Sequence, residues 1–182
     1  QIGTTLDDAI GEAFDKCGKK MGLDYPAGPE IDKLARNGNP DAFKFPIPKV
    51  KHFDVSYSGV KTAFLNLISK NINKNPNFIK YNLNDLCASI QKTLVEIIMN
   101  KIEKAKNSLK INRVVIGGGV SANSEIRRVL DDMSVSSDWE IFIPPFQYTT
   151  DNAAMIGIAA YYKLKKNQLG EINQSVNARL VI

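Results

Sequence analysis

The sequence predicts an α/β layered fold, chiefly from residues 113–165. Apolar strand-like runs alternate there with helical patterns in the order strand, helix, strand, helix, as in layered α/β proteins. The first strand leads into a three-glycine turn, Gly117–Gly119, followed by a helix. This arrangement aims backbone N–H groups and a helix N-terminus at a nucleotide or phosphate, and glycine lets the backbone approach closely. A second strand-to-helix turn lies at residues 144–152, so we expect a ligand cleft at the strand ends.

The first element is a helix expected from Thr5, its N-cap, to Met21, with Gly22 as its stop. Its apolar stripe is Ile10, Ala13, Phe14, Cys17 and Met21. Another stripe carries the acids Asp8, Glu12 and Asp15, without a full set of basic partners. These acids form either a solvated face or carboxylates that accept hydrogen bonds from a ligand's hydroxyls or amine.

The middle of the chain predicts short elements joined by turns. A rigid turn at residues 25–29 precedes a short helix at 31–35, and the proline-rich residues 43–50 are expected to be irregular. A strand is predicted at 53–57, and Ser58-Gly59 opens a helix to about residue 70. That Ser-Gly turn either contacts a phosphate or only connects strand and helix, because it lacks the full P-loop pattern.

The second half continues with a linker and a long scaffold helix. Residues 71–82 are rich in asparagine and predict a linker, and Asn84 or Asp85 then caps a helix to about residue 108. A strand at 113–116, a helix at 124–133, a strand at 140–143 and a helix at 151–165 follow. The final residues, 179–182, predict an edge strand.

Composition limits the classes of protein without choosing one. The formal net charge of +5 permits an anionic partner such as RNA but does not require one. No run approaches the roughly 18 apolar residues of a membrane span. Cys17 and Cys87 lack metal-site spacing and predict free, buried thiols in a reducing compartment. Because the chain starts at Gln1 rather than Met, we expect an N-terminal portion to precede it.

Three polar positions are candidates for chemistry. His52, the only histidine, would have to serve any catalytic triad or multi-histidine metal site, and we expect it to be exposed and inert. Asp151 either caps a helix, a role that Asn152 can also fill, or binds a cation with ligands from elsewhere. Asn123 either caps a helix or contacts a ribose or base edge through its amide.

Five segments together resemble one family in order and spacing: TLDDAIGEAFDK (5–16), GLDYPAGPEID (22–32), FDVSYSGVKTA (53–63), VVIGGGVSAN (114–123) and TDNAAMIG (150–157). They are similar to the tRNA N6-adenosine threonylcarbamoyltransferases, the TsaD/Gcp family, once labelled O-sialoglycoprotein endopeptidases. The amino-acid sequences of the motifs GEAFDK, YSGVKTA and DNAAM are closer to the bacterial and organellar branch than to the archaeal branch.

The resemblance implies a fold, a reaction and partners. The fold is an actin/Hsp70/sugar-kinase-like (ASKHA) lobe that is incomplete without an N-terminal lobe, with a mainly helical part over 5–110 and a βαβα nucleotide-binding part over 111–182. The reaction transfers the threonylcarbamoyl group from threonylcarbamoyl-AMP to N6 of adenosine 37 in tRNAs that read ANN codons. The partners are tRNA, a paralogous dimerisation protein and an ATPase. No membrane is involved, and the location is cytoplasmic, or organellar in a eukaryote.

The resemblance also assigns residues. Asp15, Gly28, Asp32 and Asn123 would hold the nucleotide end of the donor. The turn glycines Gly118 and Gly119 are further candidates, from the glycine turn itself and not from the resemblance. Glu12, one helical turn before Asp15, joins them by its place on the helix face. A divalent metal, iron or zinc, would be bound by Asp151.

Several residues depart from the family pattern. The other metal ligands of the family are two histidines of an HxxxH helix, which this chain lacks. We therefore expect that this chain is a C-terminal portion that binds metal weakly and cannot catalyse the transfer alone. Ala27 stands where the family usually has Gly, and Thr149 where many bacterial members have Cys.

Other functions remain alternatives at this point. A nucleotide-binding ATPase or sugar kinase of the same superfamily would share the glycine turns but not GEAFDK and TDNAAM together. A non-catalytic nucleotide-binding or partner-docking module would lack the HxxxH segment in its full gene. The peptidase label has no support, because neither a water-activating base nor a complete metal-ligand set is present in this sequence.

Overall fold

The computed structural model of the protein describes residues 1–136, 139–171 and 173–175. Residues Gln1–Thr149 form one compact unit and Thr150–Ile182 form a second. The edge strand expected at 179–182 lies outside the described residues. The expected division into a helical part up to 110 and a βαβα part after it stays a prediction.

Helices build the first half of the first unit: α1 (Ile10–Met21), α2 (Ala27–Ala35), α3 (Ser58–Ile72) and α4 (Phe78–Leu109). Their apolar stripes pack into one core, whose largest fully buried side chains include Tyr57, Phe14, Phe64, Ile31 and Leu86. At 1.5 Å per residue the 32 residues of α4 extend about 48 Å. α4 therefore reaches beyond this core into a second one.

The second core lies between α4 and a small parallel sheet. Strand β1 (Arg113–Val115) pairs with β2 (Glu140–Phe142) in parallel, with Val114 opposite Ile141. A 3-10 turn at Gly119–Ala122 and helix α5 (Ser124–Ser136) connect them, and another 3-10 turn, Phe146–Tyr148, follows β2. The buried residues of this core are Val95, Met99, Ile126 and Leu130. The chain thus mixes helices with a parallel sheet, in agreement with the predicted α/β class.

The second unit contains helix α6 (Ala153–Lys165). Asn152 is its N-cap, and the side chain of Asn152 accepts a hydrogen bond from the Met155 N–H at 2.9 Å. None of the helices that the structure describes has both the length and the apolar composition needed to cross a membrane.

The helix predicted from Thr5 begins only at Ile10, so that prediction was wrong by five residues. Thr5 instead forms an isolated parallel bridge with Val55, and the Leu6 N–H donates to the Val55 carbonyl at 2.9 Å. That bridge also replaces the strand predicted at 53–57. The helical stripe ending at Met21 and the stop at Gly22, whose φ is +84°, are confirmed.

Two further helices begin earlier than their sequences indicate. α2 begins at Ala27 rather than residue 31, because Asp15 on α1 accepts the Ala27 N–H at 2.8 Å and so caps α2 from outside. α4 begins at Phe78, within the predicted linker. Asp85 does not cap α4, because its carboxylate accepts the Asn39 N–H at 2.7 Å.

Candidate functional site

The three-glycine turn at the end of β1 is open. A Cβ added to Gly117, Gly118 or Gly119 would meet no heavy atom within 4 Å. Gly118 has φ +87° and ψ 169°, a backbone conformation that residues other than glycine rarely adopt. The buried Ser121 Oγ donates to the Gly118 carbonyl at 2.6 Å. The hydrogen bond from Ser121 therefore holds the turn, while the open space at the three glycines lets a ligand approach their backbone.

Asn123 caps α5, so the first of its two proposed roles is confirmed. Its Oδ1 accepts the N–H groups of Glu125 at 3.1 Å and Ile126 at 3.0 Å. Its Nδ2 donates to Oε1 of Gln91 on α4 at 2.9 Å. Both acceptor positions of the amide oxygen are thus in use, and within the described part of the chain one Nδ2 hydrogen has no acceptor and is left for a ligand.

Asp32 supplies a second cap to the same helix. Its Oδ1 accepts the Ser124 N–H at 3.1 Å and the Ser124 hydroxyl at 2.7 Å. Arg36, one turn further along α2, donates to Oδ2 of Asp32 at 3.3 Å. Asp32 is 8% exposed, and these bonds offset the cost of burying its charge.

These caps correct one expectation from the glycine turn. The first N–H groups of α5, from Ser124 to Ile126, already donate to Asp32 and Asn123. The N-terminus of α5 is therefore not a free anion site. A ligand here would meet the glycine backbone and the remaining polar groups of Asp32 and Asn123.

Asp15 and Gly28 lie together at the start of α2. Oδ1 of Asp15 binds the Ala27 N–H at 2.8 Å, and among the described residues none donates to its Oδ2. Gly28 is the next residue, and a Cβ there would lie 4.0 Å from Cβ of Phe14, an ordinary contact. Asp15 therefore keeps an acceptor oxygen for a ligand, as Asn123 keeps a donor.

The acids at the start of α1 have an incomplete set of basic partners. Asp8 pairs with Lys16 at 2.6 Å and also with Lys61 of α3. Hydrogen bonds from Lys16 and then Lys61 hold the pKa of Asp8 below its ordinary value. Glu12 pairs with Lys16 at 2.7 Å, with its side chain half exposed. Asp8 and Glu12 share Lys16, and Asp8 gains Lys61 from a distant helix, whereas Asp15 has no basic partner among the described residues, so the expectation of an incomplete set of basic partners is confirmed.

The predicted Ser-Gly turn is capped by Asp7. The Asp7 carboxylate accepts the N–H groups of Tyr57 at 2.8 Å and Ser58 at 3.2 Å, and also the Ser56 hydroxyl. Burial acts to raise the pKa of Asp7, but these hydrogen bonds outweigh it, so the pKa is lowered. A protein carboxylate thus holds the position that a phosphate would need at these two N–H groups.

The candidate metal ligand Asp151 belongs to the second unit, where it is exposed and directly precedes the N-cap Asn152. In the described residues, no group of three or more His, Cys, Asp or Glu side chains is arranged to hold a metal ion. His52 is exposed, and its carbonyl accepts from Lys101 and Lys104, both at 3.1 Å.

An apolar cavity of about 290 Å³ lies beside the glycine turn. Side chains of α1, α4 and α5 line it, among them Ile10, Met99 and Ile126. Its lining suits packing rather than recognition of a polar nucleotide.

Sequence reasoning missed Gln91 and Asp7 as partners of the site. Gln91 is only 5% exposed and occupies one position of an otherwise apolar stripe, Cys87, Val95 and Ile98, at helical spacing. A buried glutamine needs a hydrogen-bond partner, so its place on an apolar stripe could have indicated a buried polar contact. Asp7 gave no such signal, because its partners lie about 50 residues away.

The fold and the site define an α/β protein in which Asp15 caps α2, and Asp32 and Asn123 together cap α5, which follows an open glycine turn. Residues 1–158 match the family model described as tRNA N6-adenosine threonylcarbamoyltransferase (TsaD), and the chain belongs to this family.

Curated bacterial relatives carry the same name, tRNA N6-adenosine threonylcarbamoyltransferase. The protein from Riemerella anatipestifer is 50% identical over 178 residues, which cover 98% of this chain and 52% of the relative. The protein from Phocaeicola vulgatus is 48% identical over 181 residues, covering 100% and 53%. The protein from Thermosipho africanus is 45% identical over 169 residues, covering 91% and 49%. The chain therefore spans about half the length of the curated relatives it matches.

Proposed function

We propose that this chain is part of an enzyme that transfers the threonylcarbamoyl group from threonylcarbamoyl-AMP to N6 of adenosine 37 in tRNAs that read ANN codons. The observation that carries this proposal is the family match over residues 1–158. The family further supports an ASKHA-type lobe, of which the helices and the small parallel sheet form a portion.

The nucleotide end of the donor would lie beside the capping side chains of α2 and α5, not at their backbone N–H groups. Asp15 keeps Oδ2 as an acceptor for a ribose hydroxyl, and Asn123 keeps one Nδ2 hydrogen as a donor. Gly28 and the turn glycines Gly118 and Gly119 would let the phosphate and sugar approach the backbone. Asp32 would act mainly by fixing Ser124, and Glu12 would contribute from the exposed side of α1.

The reaction forms one bond and breaks one. The N6 amine of adenosine attacks the carbamoyl carbon, a C–N bond forms, and the bond from that carbon to the phosphate oxygen breaks. AMP leaves with the electron pair, and the amine loses a proton. By holding the AMP portion, this chain's side chains would orient the carbamoyl carbon for attack, which lowers the entropic part of the barrier.

The family implies a divalent metal, iron or zinc, and Asp151 fits that group only in part. An exposed carboxylate is a suitable ligand, but one ligand does not make a site, and the described residues offer no set of three. On the family pattern the other ligands would be the two histidines of an HxxxH helix, a motif that this sequence lacks.

The partners we propose are tRNA, a paralogous dimerisation protein and an ATPase, in a cytoplasmic setting. The net charge of +5 is compatible with an RNA partner. A non-catalytic nucleotide-binding or docking module is the second candidate, since the Asp15 carboxylate and the Asn123 amide could bind a nucleotide without any transfer reaction.

The test starts from the native protein that carries this sequence, with threonylcarbamoyl-AMP and an ANN-reading tRNA. Formation of threonylcarbamoyladenosine is measured by mass spectrometry of digested tRNA, with a tRNA that reads other codons as the control. We expect product from the native protein and none from residues 1–182 alone. AMP binding by native protein that yields no product, with its partners present, would favour the docking module.

Asp32→Asn and Asp41→Asn form a matched pair of variants. Asp41 is an exposed acid paired with Lys92 at 2.6 Å, so D41N should leave both transfer and AMP binding unchanged. D32N should weaken AMP binding, because the cap of α5 loses its charge. Equal AMP affinity in both variants would contradict the proposed nucleotide site.

A further inference from the structure

We infer that Gln91 is a positioning residue for nucleotide binding, acting through the amide of Asn123; this inference rests on the proposed function. Gln91 lies in the middle of α4 and is 5% exposed, and Asn123 is 9% exposed. Their side chains meet at 2.9 Å, from Nδ2 of Asn123 to Oε1 of Gln91. Neither the family match nor the motifs single out Gln91.

The orientation of the Asn123 amide follows from its partners. The N–H groups of Glu125 and Ile126 require an acceptor, so the oxygen of Asn123 must face them. The nitrogen then faces Gln91, and Oε1 of Gln91 takes one of its two hydrogens. With oxygen and one hydrogen fixed, the direction of the remaining hydrogen is fixed as well, since the amide group is planar.

The surroundings of Gln91 explain why a polar residue is present. Its neighbours one turn away on α4, Cys87 and Val95, are buried and apolar, and a methionine of similar shape would suit such surroundings. Burying an amide is unfavourable unless it is hydrogen-bonded. Among the described residues, the side chain of Gln91 bonds to Asn123. We therefore assign Gln91 the role of orienting the Asn123 side-chain amide at the start of α5.

Loss of this bond should affect binding more than folding. Without Gln91, Oδ1 of Asn123 still caps α5, so the helix keeps its first hydrogen bonds. The freed Nδ2 group can rotate slightly or bind water, so the donor offered to a ligand is less well directed. We expect adenosine affinity to fall about three- to tenfold, the range of one neutral hydrogen bond.

The experiment compares Gln91→Met, which removes the acceptor at nearly constant shape, with Gln91→Glu, which keeps an acceptor oxygen. The control is Thr93→Val, which also removes a buried polar group of α4 but one bonded to the Ser89 carbonyl within the helix. Adenosine is the probe because it is uncharged and does not respond to the added carboxylate. Binding to the native protein is measured by NMR titration, with a melting temperature for each variant.

We expect Q91M to weaken adenosine binding and to shift the ¹⁵N–¹H signals of the Asn123 side chain. Q91E should bind within about twofold of the wild type, and T93V should bind adenosine normally. If Q91M binds adenosine as tightly as the wild type, or if T93V weakens binding equally at an equal loss of melting temperature, the inference is overturned.

Failure of the proposed function gives a different result. Native protein that binds neither adenosine nor AMP contradicts the nucleotide site, and the role of Gln91 falls with it. Native protein that binds both, with Q91M unchanged, leaves the proposed function standing and overturns the role of Gln91 alone.

Discussion

Replacing Gly18 by alanine should destabilise the protein by forcing α1 away from α2. A Cβ at residue 18 would lie 2.2 Å from Cβ of Ala27. Carbon atoms in favourable contact are about 3.5–4.0 Å apart, so the helices must separate locally by about 1.5 Å. The obstacle is a Cβ held directly on the backbone of α2, which cannot rotate away.

The magnitude follows from two opposing effects. Overpacking of this kind costs about 1–3 kcal/mol, and more where backbone must move. Alanine regains about 1 kcal/mol of helix propensity over glycine. Because the backbone of α2 must move, we take the cost at the upper end, about 3 kcal/mol. G18A should then lose about 2 kcal/mol of unfolding free energy, which lowers the melting temperature by about 4–8 °C for a chain of this size.

Urea unfolding followed by circular dichroism at 222 nm measures this loss, with Gly28→Ala as the matched control in the same helix pair. A Cβ at residue 28 has only an ordinary 4.0 Å contact with Phe14. G28A should therefore be as stable as the wild type or slightly more so, while weakening AMP binding. Equal stability of G18A and G28A would refute the packing argument.

Two other predictions concern titratable groups. Burial raises the pKa of both Cys17 and Cys87 to about 12, so neither thiol should react with iodoacetamide at pH 7 in the native protein. The intact mass of the treated protein measures this labelling. Rapid labelling without unfolding would contradict the buried positions. Lys16 and Lys61 lower the pKa of Asp8 in the folded protein. The ionised Asp8 therefore stabilises the folded state fully above the pKa of an unfolded aspartate, near 4, and this contribution is lost as the pH falls through the lower pKa of the folded state. Asp8→Asn should therefore lower stability at pH 7 and flatten the pH dependence below pH 4, measured by urea unfolding; a variant with the same acid profile as wild type would refute this.

The sequence predicted the local parts of the site well. Asn123 and Asn152 were each recognised as candidate helix caps, and both are caps. Gly22 was recognised as a helix stop. Each of these depends on hydrogen bonds to residues within about one turn of the chain, so the necessary information lies in a few adjacent residues.

The remaining contacts could not be read from the sequence, because their partners are distant along the chain. Asp32 was a candidate ligand-binding residue through resemblance alone, and its bonds to Ser124 span 92 residues. The pair of Asp8 and Lys61 spans 53 residues. No local sequence pattern distinguishes an acid that is hydrated at the surface from an acid that binds a helix distant in sequence.

The sequence by itself determined the α/β class, the apolar stripes of the helices and membership of the threonylcarbamoyltransferase family. Tertiary structure decided where the helices begin and which polar groups remain available to a ligand. Thr5 carries a good helix-capping side chain, yet its backbone pairs with Val55. Periodicity and capping propensity act over a few residues, whereas the choice among competing hydrogen-bond partners is made only when the packed helices bring them together.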